Sequence, residues 1–450
     1  MAQERDRIVH IRPRFCTIGA TSRRVAMAAM AAAPSAGQGQ GPPPLEAVPL
    51  AKLEPLEPTP EEKALAEELW ACAVAQFGLG STRGQMGAGL KAFRASLEAD
   101  PWHADRHYFI GCITSAFHGD RTEAANCFER AIAADPMHGL AYQELCLLYE
   151  AFGNFEAARN AARRAVEAGA RWQDEWQHPP TWTPNLTASA WWPRTLFPWA
   201  EQLEALWETI RDEALGLRGG TSEGSVTMPS SWTAVGSERA EQDADIVAPG
   251  GEWREFMLFG ASTDSGPNSE AMKHCPMTMG ILQRLLPNAV QMAQLGVGEI
   301  LLSALAPGTR LLPHCASTNV RLTCHLGLVC PKGAQIKVGP TWGEWEEGQC
   351  MFFDDSYIHE VRNDSDSVRI VLLIRFWHPE LDLKDIMTTL NAGVAEYETL
   401  NKLRTNPPMT ELAAAKLTSA LEGSKGGPPQ KAPIKPADLL KLDSDKMGLQ

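Results

Sequence analysis

Residues 320–330 read VRLTCHLGLVC. Val320, Leu322, Cys324, Leu326 and Leu328 make one apolar face, and Arg321, Thr323, His325 and Gly327 make the other, which is the period of two of a β-strand with one side on a core. When such a strand turns its polar face inward, that face lines a cavity. His325 therefore either points at a ligand or is a satisfied core histidine. The strand-like period extends from Glu252 to Pro379 and is broken by turn residues such as Pro307-Gly308 and Pro331-Lys332-Gly333. Many short strands in this length predict a two-sheet jelly roll.

Two further segments stand beside this strand in the chemical reading. His314 lies in LLPHCAS before it, and His359 lies in FFDDSYIHEV after it. In SVRIVLLIRFW the apolar Val368, Ile370, Leu372 and Ile374 alternate with Ser367 and Arg369. A guanidinium inside an apolar strand needs a partner, because burial without one is expensive. Histidines on neighbouring strands with an inward arginine are what a non-haem iron oxygenase requires. Imidazoles hold Fe(II), 2-oxoglutarate chelates it, and the guanidinium forks onto the distal carboxylate, a charge-assisted pair of roughly 1.5–3 kcal/mol. The same residues also fit a purely structural cupin-like shell, and spacing alone leaves both readings open.

Upstream, residues 61–170 read as successive helices. AFRASLEADP ends at Pro101 and CFERAIAADP at Pro136, and Gly119-Asp120 recurs as Gly153-Asn154. A repeat of about 34 residues with small residues at helix crossings and a helix-starting Pro is the tetratricopeptide signature. Such an array offers a groove for a polypeptide and performs no chemistry. Residues 171–200, rich in Trp and Pro, are expected to cap the array and pack it onto the C-terminal half of the chain. A helix is expected over 198–215, with Leu203, Leu206 and Ile210 on one stripe. Residues 34–60 form a Pro/Gly linker, 218–250 a Gly/Ser-rich insertion, and the tail from about 404 is Pro/Lys/Gly-rich and reads as disordered.

A net charge of −14 argues against broad binding to nucleic acid or anionic membranes. The ten cysteines form no C-x-x-C pair and read as small buried hydrophobes, which fits a reducing compartment. No stretch reaches the ~18 apolar residues of a transmembrane helix. From Arg7 to Leu45 no acidic residue occurs, while Arg12, Arg14, Arg23 and Arg24 stand among Ala, Ser and Thr. This segment reads either as a targeting sequence, organellar or secretory, or as a disordered leader of a soluble cytoplasmic protein.

Taken together, PHCASTNVRLTCHLGLVCPKG, GEWEEGQCMFFDDSYIHEV and SVRIVLLIRFWHPEL resemble the catalytic core of the aspartyl/asparaginyl β-hydroxylase family. WWPRTLFPWAEQLEALWETIRDEAL and GEWREFMLFG resemble the lead-in to that domain, and animal members of the family carry tetratricopeptide repeats before it. The resemblance implies an α+β chain: an N-terminal α-helical repeat array followed by a double-stranded β-helix (jelly-roll) oxygenase domain. It implies His314 and His359 as iron ligands, with Arg369 on the distal carboxylate of 2-oxoglutarate. His325, Ser303 and Phe259 are implied as further cosubstrate contacts, Phe259 standing where the family often has a tryptophan. Thr323 replaces a family arginine, and Ala316 stands where a facial triad would have its carboxylate. Asp355 is the candidate catalytic residue, hydrogen-bonding a water in the vacant metal position, or else a turn-forming aspartate. Cys275 lies at a family disulfide position, with no matching second cysteine nearby.

The expected organisation is 1–60 leader and linker, 61–175 repeats, 176–400 catalytic domain and 401–450 tail. The expected cofactors are Fe(II), 2-oxoglutarate as cosubstrate, and O2. The expected partner is a protein or peptide substrate held by the repeats and hydroxylated at the β-carbon of Asp or Asn, with no nucleic acid partner and no transmembrane segment. Two alternatives remain: hydroxylation of a lipid or other small molecule, and a non-catalytic repeat scaffold.

Overall fold

The computed structural model describes residues 58–76, 93–115, 120–217, 228–235, 246–260 and 268–382, with 384 and 386. The expected leader and most of the linker, part of the first repeat, much of the Gly/Ser-rich insertion and the tail lie outside them. The chain forms two compact units, with a boundary between Arg106 and His107 and another between Asp382 and Leu383. In the unit that ends at Arg106, helix Pro60–Gln76 opens with a capping box. Glu62 N–H donates to Thr59 Oγ1 at 3.2 Å, and Thr59 N–H donates to Glu62 Oε2 at 2.7 Å. The buried Arg106 guanidinium is held by Glu67 at 2.5 Å and Asp100 at 3.2 Å.

In the unit from His107 to Asp382, helices Arg121–Ala134, Gly139–Ala151 and Phe155–Ala168 bury an alanine-rich seam of Ala124, Ala125, Ala131, Ala141, Ala158 and Ala162 around Phe128, Leu145 and Tyr149. Small residues at the crossings let the helices approach closely. Asp120 and Asn154, the recurring positions, are both N-caps that accept from the backbone N–H three residues on, each at 3.0 Å. Pro136 does not start a helix. It lies in the turn after Asp135, and His138 caps helix Gly139–Ala151. Arg164 forks onto Glu129 with two 2.8 Å bonds, tying the third helix to the first.

The Trp/Pro-rich segment links three apolar clusters, as expected. Trp172 and Trp182 pack on the helices, Trp176 and Trp191 on the core between the sheets, and Trp192 and Trp199 on the core outside them. The helix expected over 198–215 is instead two, Trp199–Glu204 and Trp207–Gly216. Leu206 leaves the helical region with φ −111° and ψ 8°, so it stays exposed while Leu203 and Ile210 are buried.

The described residues form eleven strands: β1 (Trp191–Trp192), β2 (Thr233–Ala234), β3 (Trp253–Phe259), β4 (Ile300–Leu305), β5 (Arg310–His314), β6 (Arg321–Val329), β7 (Ala334–Val338), β8 (Thr341–Glu344), β9 (Cys350–Phe353), β10 (His359–Asn363) and β11 (Arg369–Trp377). They make a seven-stranded sheet, β1-β9-β6-β11-β4-β3-β2, and a four-stranded sheet, β5-β10-β7-β8. The pairs are antiparallel throughout. The outer face of the large sheet (Leu322, Cys324, Leu326 and Leu328 with Ile370, Leu372 and Ile374) packs under helices Trp207–Gly216, Pro276–Leu285 and Pro287–Gln294. Its inner face meets the small sheet through Leu305, Val371 and Phe353 against Leu311, Ile336 and Val361. This is the expected jelly roll: the even-numbered residues of β6 are covered by helices, and the odd-numbered ones face the lumen. Gly327 is required here, because a Cβ would lie 2.7 Å from Cys330 Sγ and closer still to the Glu346 carbonyl oxygen.

Candidate active site

The small sheet brings His314 and His359 together. They end β5 and begin β10, they are register partners, and their rings lie 4.2 Å apart centre to centre. His314 Nδ1 is 2.7 Å from the Leu312 carbonyl, and His359 Nδ1 is 2.9 Å from the Tyr357 carbonyl. Only an Nδ1–H can make those contacts, so the proton sits on Nδ1 and each Nε2 keeps its lone pair. Burial, then the His359 ring beside it, push the His314 pKa down to about 3. Burial also lowers that of His359, against the opposing pull of Asp355. Two neutral, tautomer-locked imidazoles facing each other are suited to share a divalent metal ion.

The large sheet supplies the opposite wall. Arg369 is 2% exposed and lies 4.8 Å over the Trp345 ring. Its Nη1 makes only a long 3.5 Å contact to the Ser303 carbonyl, and its Nε has no hydrogen-bond partner. No carboxylate among the described residues comes within ion-pair distance of it, and burial pushes its pKa down to about 10. On β6, His325 Nδ1 accepts from Trp345 Nε1 at 3.2 Å, which puts its proton on Nε2, and that donor is buried without a partner. Burial and then Arg369 hold His325 neutral. Thr323 is buried with its side chain toward the Asp355 carboxylate, and Ser303 Oγ accepts from Trp253 Nε1 at 3.0 Å. Unsatisfied donors from two adjacent strands, one of them cationic, form a cradle for a small anion.

Asp355 lies between the two walls. It is 2% exposed, with Oδ2 accepting from Arg375 Nε at 3.0 Å and the carboxylate also beside the Thr323 hydroxyl. Its carbonyl takes the Ala316 N–H at 2.7 Å, which pins the loop after His314. Burial would raise its pKa, but Arg375 and Arg321 outweigh that and keep it ionised. Arg375, also paired with Glu299, is the register partner of Thr323 on β6. Positive charge therefore reaches the place where the family arginine is missing, but it comes from the neighbouring strand.

Residues 204–379 match the family profile described as aspartyl/asparaginyl beta-hydroxylase. Over those residues the chain is similar to that family. Human aspartyl/asparaginyl beta-hydroxylase is 32% identical over 201 residues, 44% of this chain and 24% of that protein. Human aspartate beta-hydroxylase domain-containing protein 2 is 34% identical over 139 residues, 30% of this chain and 35% of that one. The chain thus spans a quarter to a third of the length of these relatives. Among solved structures, a predicted oxalate decarboxylase from Thermotoga maritima aligns at 13% identity over 28% of this chain and 84% of its own, with a TM-score of 0.18. So low a score carries no weight, and the jelly-roll assignment rests on strand order.

In this domain the structure gathers His314, His359, Arg369, His325, Ser303 and Asp355 around one lumen. Phe259 is not among them. It lies in the core beneath the helices, on the other face of the sheet. Strand parity would have placed it inward with Trp253 and Glu255, but a bulge between Met257 and Phe259 shifts the register and turns the ring outward. Trp253 is the tryptophan that reaches the lumen, and its signal was its place two residues before the inward Glu255. Sequence reading also missed Trp345 and Arg375. It missed the buried cluster of Glu150, His178 and Cys315 as well, whose members lie in separate segments.

Proposed function

We propose that the chain is an Fe(II)- and 2-oxoglutarate-dependent dioxygenase that hydroxylates the β-carbon of Asp or Asn in a protein substrate. The observation that carries this reading is the facing pair His314–His359 beside a buried arginine with no carboxylate of its own. The two Nε2 lone pairs would hold Fe(II), and Ala316 leaves the carboxylate position of a facial triad open. The unpaired donors of Arg369 and His325 fit a dicarboxylate such as 2-oxoglutarate. With its metal bound, such a site couples oxidation of 2-oxoglutarate by O2 to succinate and CO2 with hydroxylation of a C–H bond.

The chain's own residues bind and orient. Arg369 would fork onto the distal carboxylate while Trp345 shields the pair from water. Asp355, locked by Arg375, would orient a metal-held water. A cleft reaches His359 from helix Phe155–Ala168, framed by Arg159, Trp176 and Lys337. Arg159 and Lys337 both lie over the Trp176 ring, at 4.5 and 5.7 Å, and Lys337 pairs with Glu360 at 3.1 Å, so the cleft carries charge of both signs. So charged a cleft favours a polar peptide over an acyl chain. The division into a repeat region over 61–175 and a catalytic region over 176–400 belongs to the same proposal. No described helix is long and apolar enough to cross a membrane.

The test is succinate formation from 2-oxoglutarate with Fe(II) and a library of Asp- and Asn-containing peptides. His314→Ala and His359→Ala are each expected to reduce it to background with the thermal transition retained. Full turnover in either variant overturns the assignment.

A further inference from the structure

Outside the His314–His359 pair, the described residues hold one cluster of side chains able to bind a metal: Glu150, His178 and Cys315, with their ligand atoms within 4.8 Å of one another. Glu150 is in the last turn of helix Gly139–Ala151, His178 is in the Trp/Pro-rich segment, and Cys315 directly follows β5. His178 is 3% exposed and packs edge-on against Trp172. Neither of its ring nitrogens has a hydrogen-bond partner, nor does Glu150 Oε1. Yet His178 Nδ1 and Glu150 Oε1 lie 3.1 Å apart. The two atoms are within ion-pair range but misaligned for a hydrogen bond, and His178 makes no hydrogen bond through either nitrogen.

We propose that Glu150, His178 and Cys315 bind a zinc-class divalent cation. A thiolate, an imidazole and a carboxylate suit that borderline-soft ion, with a fourth position for water. Tetrahedral bond lengths of about 2.0–2.3 Å put ligand atoms roughly 3–4 Å apart, so the cluster needs to close by about 1–2 Å at most. Cys146, one helical turn before Glu150, stays outside the ligand set because its Sγ donates to the Ala158 carbonyl at 3.3 Å. The bound ion would join the helical layer, the Trp/Pro-rich segment and the loop that carries His314. Successive residues of an extended chain face opposite ways, so His314 turns toward His359 while Cys315 turns toward His178. The ion would therefore clamp the backbone from which His314 projects, a positioning role that rests on the iron reading; the binding site itself does not.

Cobalt(II) titration of the full-length protein separates the two sites. The His314–His359 pair contains no thiolate, so thiolate-to-cobalt charge-transfer absorption reports the cluster alone. The wild-type protein is expected to develop this band to one equivalent, and zinc to displace it. His314→Ala and His359→Ala should retain the band, while Cys315→Ser and His178→Ala should lose it with unchanged circular dichroism. Absence of the band in the wild-type protein at saturating cobalt overturns the proposal, as does a band of full amplitude in Cys315→Ser. Neither outcome bears on succinate formation.

Discussion

Replacing Arg369 by Met should strengthen the empty fold and at the same time remove most of its response to 2-oxoglutarate. The depressed pKa of this guanidinium, about 10, corresponds to a burial cost of roughly 3 kcal/mol. The Trp345 face, 4.8 Å away, returns up to about 2 kcal/mol. Methionine fills a similar length without a charge, so the variant should gain on the order of 1 kcal/mol, or about 2–4 °C. The cosubstrate side moves the other way. Losing a fork of two charge-assisted bonds at about 1.5 kcal/mol each weakens binding at least about 100-fold. At a concentration 100 times the wild-type Kd, 2-oxoglutarate stabilises the wild-type protein by about 2.7 kcal/mol but the variant by only about 0.4 kcal/mol. The assay is thermal unfolding with Mn(II) present, with and without 2-oxoglutarate. An unchanged 2-oxoglutarate shift in Arg369→Met would show that the pocket has been misplaced. A loss of more than about 2 kcal/mol in the ligand-free variant would mark Arg369 as a structural residue.

Ala316→Asp, on the loop pinned by Asp355, should tighten metal binding and leave turnover equal or lower, because the new carboxylate takes a coordination position; a rise in turnover at unchanged metal affinity in a paired titration would refute this. Gly327→Ala should cost about 2–3 kcal/mol in urea unfolding, since its methyl meets the Glu346 backbone and Cys330, and a change under about 0.5 kcal/mol would contradict the close approach. Burial pushes the Asp354 carboxyl up to about 7 despite its hydrogen bonds from Ser356. The folded state then holds a proton that the unfolded state releases, so stability should fall as pH rises from about 4 to 7, by a few kcal/mol at most, and Asp354→Asn should flatten that slope.

The reading of β6 succeeded because a period of two leaves only one way to bury Leu322, Cys324, Leu326 and Leu328, and that choice turns Thr323 and His325 inward. The helical repeat was legible because its marks, Asp120 and Asn154, are local caps. Phe259 and Leu206 defeated the same logic. In each case one residue departs from its period, by a bulge or by a break between two helices, and everything beyond changes face. Neither departure has a Pro to announce it, and Gly260 stands only after the bulge.

The sequence by itself determined the alternation of the sheets, the caps of the repeats, and the residue types able to hold a metal and a dicarboxylate. All of these depend on neighbours within a few positions. Tertiary structure alone decided that His314 and His359 are register partners, that Arg375 brings charge to the side of Thr323, and that Arg369 has Trp345 rather than a carboxylate for company. It also decided that Glu150, His178 and Cys315 meet. Those contacts join residues far apart in the chain. Their partners are selected by burial of the whole core, which no local pattern encodes.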